Sequence, residues 1–186
     1  MHEPLRILTV CTANVCRSPV AEHLLARHLS EAGWRADVRS AGTHGGLNDV
    51  HPYTASAATA SSIDLAGHVS RFLDRQVIAT EGADLVLTMT RDHLRQVVAL
   101  HPSAWPRTFT LKELARRAAD VPPDVADFAS WRGAVGEGRR AADLLGADPA
   151  DDISDPFGGP AASHVAMVAE IDEVCARIAR LMPRAR

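Results

Sequence analysis

Cysteine, long apolar runs and surplus positive charge are all scarce in this 186-residue chain. Three cysteines, an odd number with two crowded at positions 11 and 16, make no disulfide framework. A stapled secreted scaffold is excluded on that ground, and a reducing compartment is expected. No apolar stretch approaches the roughly 20 residues of a membrane-spanning helix, so no membrane insertion is expected. The opening Met-His-Glu-Pro lacks a basic segment followed by an apolar one. No signal peptide is therefore expected, and the location is read as cytoplasmic. A net charge of −3 argues against a nucleic-acid partner held through its phosphates. The nine histidines are scattered, and with Cys175 they offer no second ligand pair beside Cys11 and Cys16. No metal site and no cofactor are expected.

What is present suits one soluble α/β domain. The chain is 46% hydrophobic and 23% charged, and its length allows a full core. No internal repeat is visible, and a monomer is expected. Residues 5–10 form a short apolar run that reads as a buried strand. Residues 19–32 follow a helical pattern with Ala21, Leu24, Leu25, His28 and Leu29 on one face, ended by Gly33. Ser18 is placed to cap this helix and Pro19 suits its first turn. Further strands are expected at 36–40, 84–89 and 107–111. Helical stretches are expected at 54–62, 70–78, from Thr90 through 100, and at 112–119. A last helix over 161–181 carries Val165, Val168, Ile171, Cys175, Ile178 and Met182 on its core face. Strands alternating with helices predict a four-stranded parallel sheet with helices on both faces. The stretch from about 118 to 150, rich in Pro, Gly and Arg, reads as an insertion with short helices near 125–131 and 139–144.

The chemistry concentrates between the first strand and the first helix, in Cys11-Thr-Ala-Asn-Val-Cys-Arg-Ser-Pro. A tight loop there turns successive backbone N–H groups toward one point, and the helix dipole adds to them, making a site for a dianion. Such a site lies at the carboxyl edge of the sheet, where open α/β folds bind ligands. Arg17 supplies a planar fork that bonds two phosphate oxygens at once. The same positive field favours a thiolate at the base of the loop, poised to attack phosphorus.

This loop resembles the signature of the low-molecular-weight protein tyrosine phosphatases, bacterial type. That family carries Cys-x5-Arg-Ser near its N-terminus and an acid in an Asp-Pro pair near its C-terminus, and Asp155-Pro156-Phe157 stands in that place here. Ser40-Ala41-Gly42-Thr43, Gly67-His68-Val69-Ser70-Arg71 and residues 83–89 match as well. The resemblance implies a phosphomonoester hydrolase that works through a cysteinyl-phosphate on a phosphotyrosine-containing protein or a small aryl phosphate. It implies Cys11 as nucleophile. Arg17 and the loop residues Thr12, Ala13, Asn14, Val15 and Cys16 would hold phosphate. Ser18 would bond the Cys11 sulfur, and Asp155 would act as general acid. Asn14, Ser40 and His68 would keep the loop in shape, with Phe157 flanking the leaving group. Asp148 is the other candidate acid, and Asp151 and Asp152 lie close by. A loop curled around phosphate also brings Cys16 toward Cys11, so oxidation is expected to end in a Cys11–Cys16 disulfide.

The chain departs from the family in three places. Ala13 stands where glycine is usual, which would cost about 1 kcal/mol or more if the position needed a positive φ. Phe157-Gly158 replaces a Tyr-Tyr pair. Residues 44–48 lack a bulky aromatic, for which Tyr53 is the candidate substitute. Two rival readings stay open: a thiol-linked arsenate reductase and a phosphate-binding module without catalysis. The first is disfavoured because no cysteine lies between Cys16 and Cys175, and the second because nucleophile and acid are both present.

Overall fold

The computed structural model describes residues 3–45, 49–80, 82–145 and 149–183. Strand β1 (Leu5–Cys11) lies inside a four-stranded, all-parallel sheet. Its neighbours are β2 (Ala36–Gly42) on one side and β3 (Leu85–Thr88) on the other, with β4 (Thr108–Thr110) outside β3. The register sets Cys11 opposite Gly42 and Val10 opposite Thr88, so three strand ends converge beside the cysteine.

Alternation along β1 divides the core. Leu5, Ile7 and Cys11 face the larger cluster, built with α1 (Arg17–Glu31), α2 (Pro52–Ala60), α5 (Leu111–Ala118) and α7 (Ala161–Leu181). Leu8 and Val10 face a smaller cluster with Ile78 of α3 (Arg75–Thr80) and Val97 of α4 (Arg91–Leu100). A strand buried on both faces is largely apolar, and in β1 Leu5, Ile7, Leu8 and Val10 are buried on the two sides, with the exposed Arg6 near its start.

Three expectations are corrected. Helix α1 begins at Arg17 with Cys16 in the cap position and no side-chain cap bond. Ser18 is already within the first turn and does not cap; its hydroxyl is turned to Cys11. The stretch 70–78 is not helical from its start. Phe72 first pairs with Gly42 as a short bridge, and only then does α3 form. On α7, Val165 is exposed and His164 is fully buried. The buried stripe steps 164, 168, 171, 175, 178, 182, and these alternating steps of four and three keep one helix face toward the core, while Val165 lies a residue off it.

The stretch from about 118 to 150 holds α6 (Phe128–Gly136) and two short 3-10 turns, Ala141–Leu145 and Pro149–Asp151. Trp131 and Val135 of α6 join the main core. Arginines fasten the rest. The Arg139 guanidinium lies 3.8 Å from the Trp105 ring centroid and 4.0 Å from that of Phe109, and pairs with Glu113 at 2.9 Å. Arg132 donates to the Asp84 carbonyl at 2.6 Å and Arg95 to that of Leu144 at 3.1 Å.

Candidate active site

The loop between β1 and α1 is shaped from behind by four side chains. Asn14 adopts φ 57°, a left-handed conformation that asparagine tolerates better than most residues. Its Nδ2 donates to Ser18 Oγ at 2.9 Å and to Ser40 Oγ at 2.8 Å, and its Oδ1 accepts from the Arg71 backbone N–H at 2.9 Å. Its carbonyl oxygen lies 2.9 Å from His68 Nε2. Ser40 in turn donates to the Glu22 carboxylate. Gly42 is required beside this loop. A Cβ there would lie 2.7 Å from the Thr12 carbonyl oxygen and 2.9 Å from the Asn14 nitrogen, both backbone atoms that cannot step aside. Ala13 does not adopt a positive φ; among described non-glycine residues only Asn14 and Ser62 do, so the backbone cost feared for alanine does not arise.

Cys11 sits at the loop's base, 2% exposed, with its sulfur 3.0 Å from Ser18 Oγ. Because Ser18 Oγ accepts from Asn14, its single hydrogen points either to the sulfur or to the Ala41 carbonyl, which lies farther off at 3.4 Å. Cys16 is buried beside Thr54, and burial pushes its thiol up to about 11.

Arg17 is 3% exposed; both its terminal nitrogens are bonded, while its buried Nε has no partner among the described residues. Nη1 donates to the Ile153 carbonyl at 3.2 Å; Nη2 donates to Thr12 Oγ1 at 3.1 Å and to Asp155 Oδ2 at 2.6 Å. Thr12 Oγ1 thus accepts from Arg17, and its hydrogen goes to His93 Nε2 at 2.9 Å. His93 Nδ1 then donates to Thr90 Oγ1 at 2.9 Å. Burial first, and the Arg17 charge second, lower His93 to about 4, so it is a neutral acceptor at pH 7.

A cavity of about 170 Å³ opens over these groups, lined by Cys11, Thr12, Ala13, Val15, Cys16, Arg17, Asp155 and Phe157. One wall is aromatic. The Phe157 ring meets His51 edge-on at 5.7 Å, His51 stacks on His164 at 4.5 Å, and Tyr53 lies 5.5 Å from His51. Tyr53 therefore stands one ring away from Phe157. His51 also donates its backbone N–H to the Val15 carbonyl at 3.0 Å, tying this wall to the loop.

The aspartates before the last helix have separate duties. Asp151 is 5% exposed and takes a two-toothed contact from Arg116, at 3.2 and 2.8 Å. Asp152 Oδ1 accepts from the Arg91 backbone N–H at 2.8 Å. Asp155 alone of the three lines the cavity, its side chain 45% exposed. Asp148, the other candidate acid, and positions 46–48 lie outside the described residues. Among the described residues no group of three or more His, Cys, Asp or Glu is arranged to hold a metal ion. No helix among them is long and apolar enough to cross a membrane. Glu22, His51 and His93 went unremarked in the sequence, where no local pattern marks them.

A thiol at a strand end, a guanidinium at the following helix start and a carboxylate across one small cavity define a phosphate-loop protein of the α/β class. The chain belongs to the low molecular weight phosphotyrosine protein phosphatase family, whose model matches residues 6–131. It is 38% identical over 105 residues to the low molecular weight protein-tyrosine-phosphatase Etp of Escherichia coli (strain K12), an alignment covering 55% of this chain and 66% of that protein. It is 31% identical over 176 residues to a protein-arginine-phosphatase of Geobacillus stearothermophilus, covering 95% of each chain. A crystal structure of a Bacillus subtilis YwlE mutant superposes with a TM-score of 0.70 at 28% identity, covering 95% of this chain and 97% of that one. The family match ends within α6, ahead of the Asp155 loop, whereas the alignment to the Geobacillus protein takes in nearly the whole chain.

Proposed function

We propose that the protein is a cysteine-dependent phosphomonoester hydrolase acting on phosphotyrosine in proteins or on small aryl phosphates. The observation that carries this is the meeting of Cys11, Arg17 and Asp155 at one cavity. The Cys11 sulfur attacks phosphorus and forms an S–P bond as the P–O bond to the leaving group breaks. Arg17 and the loop N–H groups hold the three equatorial oxygens through the transition state. Asp155, protonated, gives its proton to the departing oxygen. The same carboxylate then takes a proton from water as that water attacks phosphorus and releases the thiolate. Ser18 donates to the sulfur in both steps, which makes it a better attacker and a better leaving group.

The ring of Phe157, with His51 and Tyr53 behind it, supports an aromatic leaving group. Three reduced, buried cysteines support a cytoplasmic setting. A second reading, a protein-arginine phosphatase, is favoured by the 95% mutual coverage with the Geobacillus relative. The deciding experiment measures phosphate release from matched phosphotyrosine and phosphoarginine peptides, with Cys11→Ser as control. Faster release from phosphotyrosine, abolished in Cys11→Ser, is expected. Faster release from phosphoarginine selects the second reading, and turnover surviving in Cys11→Ser removes both.

A further inference from the structure

The root of the Asp155 loop is held by a residue that also holds the inserted segment. Arg91 is the first residue of α4, two residues past the end of β3. Its backbone N–H donates to Asp152 Oδ1 at 2.8 Å. Its Nη1 lies 3.6 Å from Asp151 Oδ2, and its Nη2 donates to the Asp143 carbonyl in the 3-10 turn Ala141–Leu145. Arg95, one helical turn on, donates to the next carbonyl, Leu144, at 3.1 Å. The side chain of Arg91 is only 18% exposed, and that of Asp151 only 6%.

The remaining fastenings of this loop lie on either side. Arg116 grips Asp151 from α5. Lys112 donates to the Asp152 carbonyl at 3.0 Å and pairs with Glu170 of α7 at 2.5 Å. Ile153 donates to the Met89 carbonyl at 2.8 Å and accepts from Arg17 at 3.2 Å. Three residues, 152–154, thus separate the 3-10 turn Pro149–Asp151 from Asp155, and the first two are bonded just past the end of β3. Arg91 bonds both the 3-10 turn Ala141–Leu145 and the loop root.

We propose that Arg91 is a positioning residue for the general acid: it braces the loop root against the 3-10 turn of the inserted segment, and so sets the reach of Asp155 toward the leaving oxygen. This rests on the assignment of Asp155 as the acid. Among the described residues Arg91 bonds Asp143, Asp151 and Asp152, none of which lines the cavity, so it acts on the site through the loop root. The physical basis is the narrow tolerance of proton transfer, which needs heavy atoms within roughly 2.6–3.2 Å. A loop root freed on one side loses that geometry before it loses its fold, because Arg116, Lys112 and Met89 still hold it.

The test compares wild type, Arg91→Ala, Asp155→Asn and the double variant on two substrates. Phenyl phosphate has a poor leaving group that needs the proton; dinitrophenyl phosphate has a good one that does not. Arg91→Ala is expected to lower kcat/KM on phenyl phosphate about tenfold, the scale of a small misplacement, while kcat/KM on dinitrophenyl phosphate, which reports only the step before hydrolysis of the cysteinyl-phosphate, changes less than about twofold. Vanadate affinity should stay near wild type. In the Asp155→Asn background, Arg91→Ala should have no further effect on phenyl phosphate. An equal loss on both substrates, unchanged kinetics on both, or an additive loss in the double variant overturns the proposal. If Asp155→Asn itself shows no leaving-group dependence, the acid assignment fails, and that outcome is separate. If Arg91→Ala does not fold, Arg91→Lys replaces it: one ammonium cannot serve both the Asp143 carbonyl and Asp151, so the same pattern is expected at smaller size.

Discussion

Thr12 Oγ1 lies 2.9 Å from His93 Nε2, and through this bond a neutral histidine steers the hydroxyl that receives Arg17. Protonating His93 would remove the acceptor and place a second positive charge near Arg17. Folding therefore holds the ring neutral, with its value lowered from 6.5 to about 4. The unfolded chain binds the proton more tightly, so stability is complete above pH 6.5 and is lost as the pH falls toward 4. The full loss is on the order of 3 kcal/mol, with about 2 kcal/mol of it gone by pH 5. Urea unfolding at pH 7 and pH 5 should show this slope, and His93→Gln should flatten it. An unchanged slope in His93→Gln would assign the pH dependence to other groups. His164, lowered in the same direction by its burial, is the first of these.

Gly42→Ala should damage anion binding as well as stability. The added Cβ would stand 2.7 to 2.9 Å from three backbone atoms of residues 12–14. Overpacking of this kind costs about 1–3 kcal/mol, and here the atoms that must yield belong to the phosphate loop. Gly133→Ala, where an added Cβ meets nothing within 4 Å, is the control and should behave like wild type. Thermal unfolding with and without vanadate measures both effects. Equal vanadate affinity in the two variants would show that the contact is slack.

Asp155→Asn should slow hydrolysis of poor-leaving-group esters by roughly 10²–10⁴-fold, the scale of a lost general acid. The loss should shrink steadily as the leaving group improves. Single-turnover measurements with a coloured aryl series give this directly, and a flat series would move the acid elsewhere, with Asp148 the first to test.

Iodoacetate at pH 7 should label one cysteine. Cys16 is held protonated, at about 11, by burial. Cys175 is fully buried, and its thiol is pushed up for the same reason. Peptide mapping should therefore find the adduct on Cys11, and inorganic phosphate should slow its formation. Labelling of Cys16 at a comparable rate would contradict its burial. After mild peroxide, a Cys11–Cys16 linked peptide and recovery with a thiol reductant are expected.

The sheet and the loop were legible because their signals are local. A buried strand, a tight turn and a helix start occupy fourteen consecutive positions, 5–18, and the last helix carries its own period. What was not legible depends on distant partners. Nothing near His93 announces that its ring meets Thr12 across 81 positions. In sequence only the following Pro156 sets Asp155 apart from Asp151 and Asp152; in the structure Arg116 and the Arg91 backbone hold the first two at the loop root, while Asp155 meets Arg17 at the cavity. Val165 was misplaced because Val165 and His164 both fit a loose helical spacing, and hydrophobicity favoured the wrong one. Ser18 read as a cap because serine before a helix usually is one; the nearby sulfur changes its role.

The contact between Asp155 and Arg17 makes the carboxylate a tethered competitor for the guanidinium. A carboxylate on a short loop acts at a high local concentration, so every incoming anion enters by exchange. Apparent affinities for phosphate and vanadate at this site are therefore weaker than the loop alone would give. Product phosphate is met by an internal replacement as it departs, which favours its release. On the proposed mechanism one carboxylate, Asp155, both supplies the proton and guards the site against saturation by free phosphate.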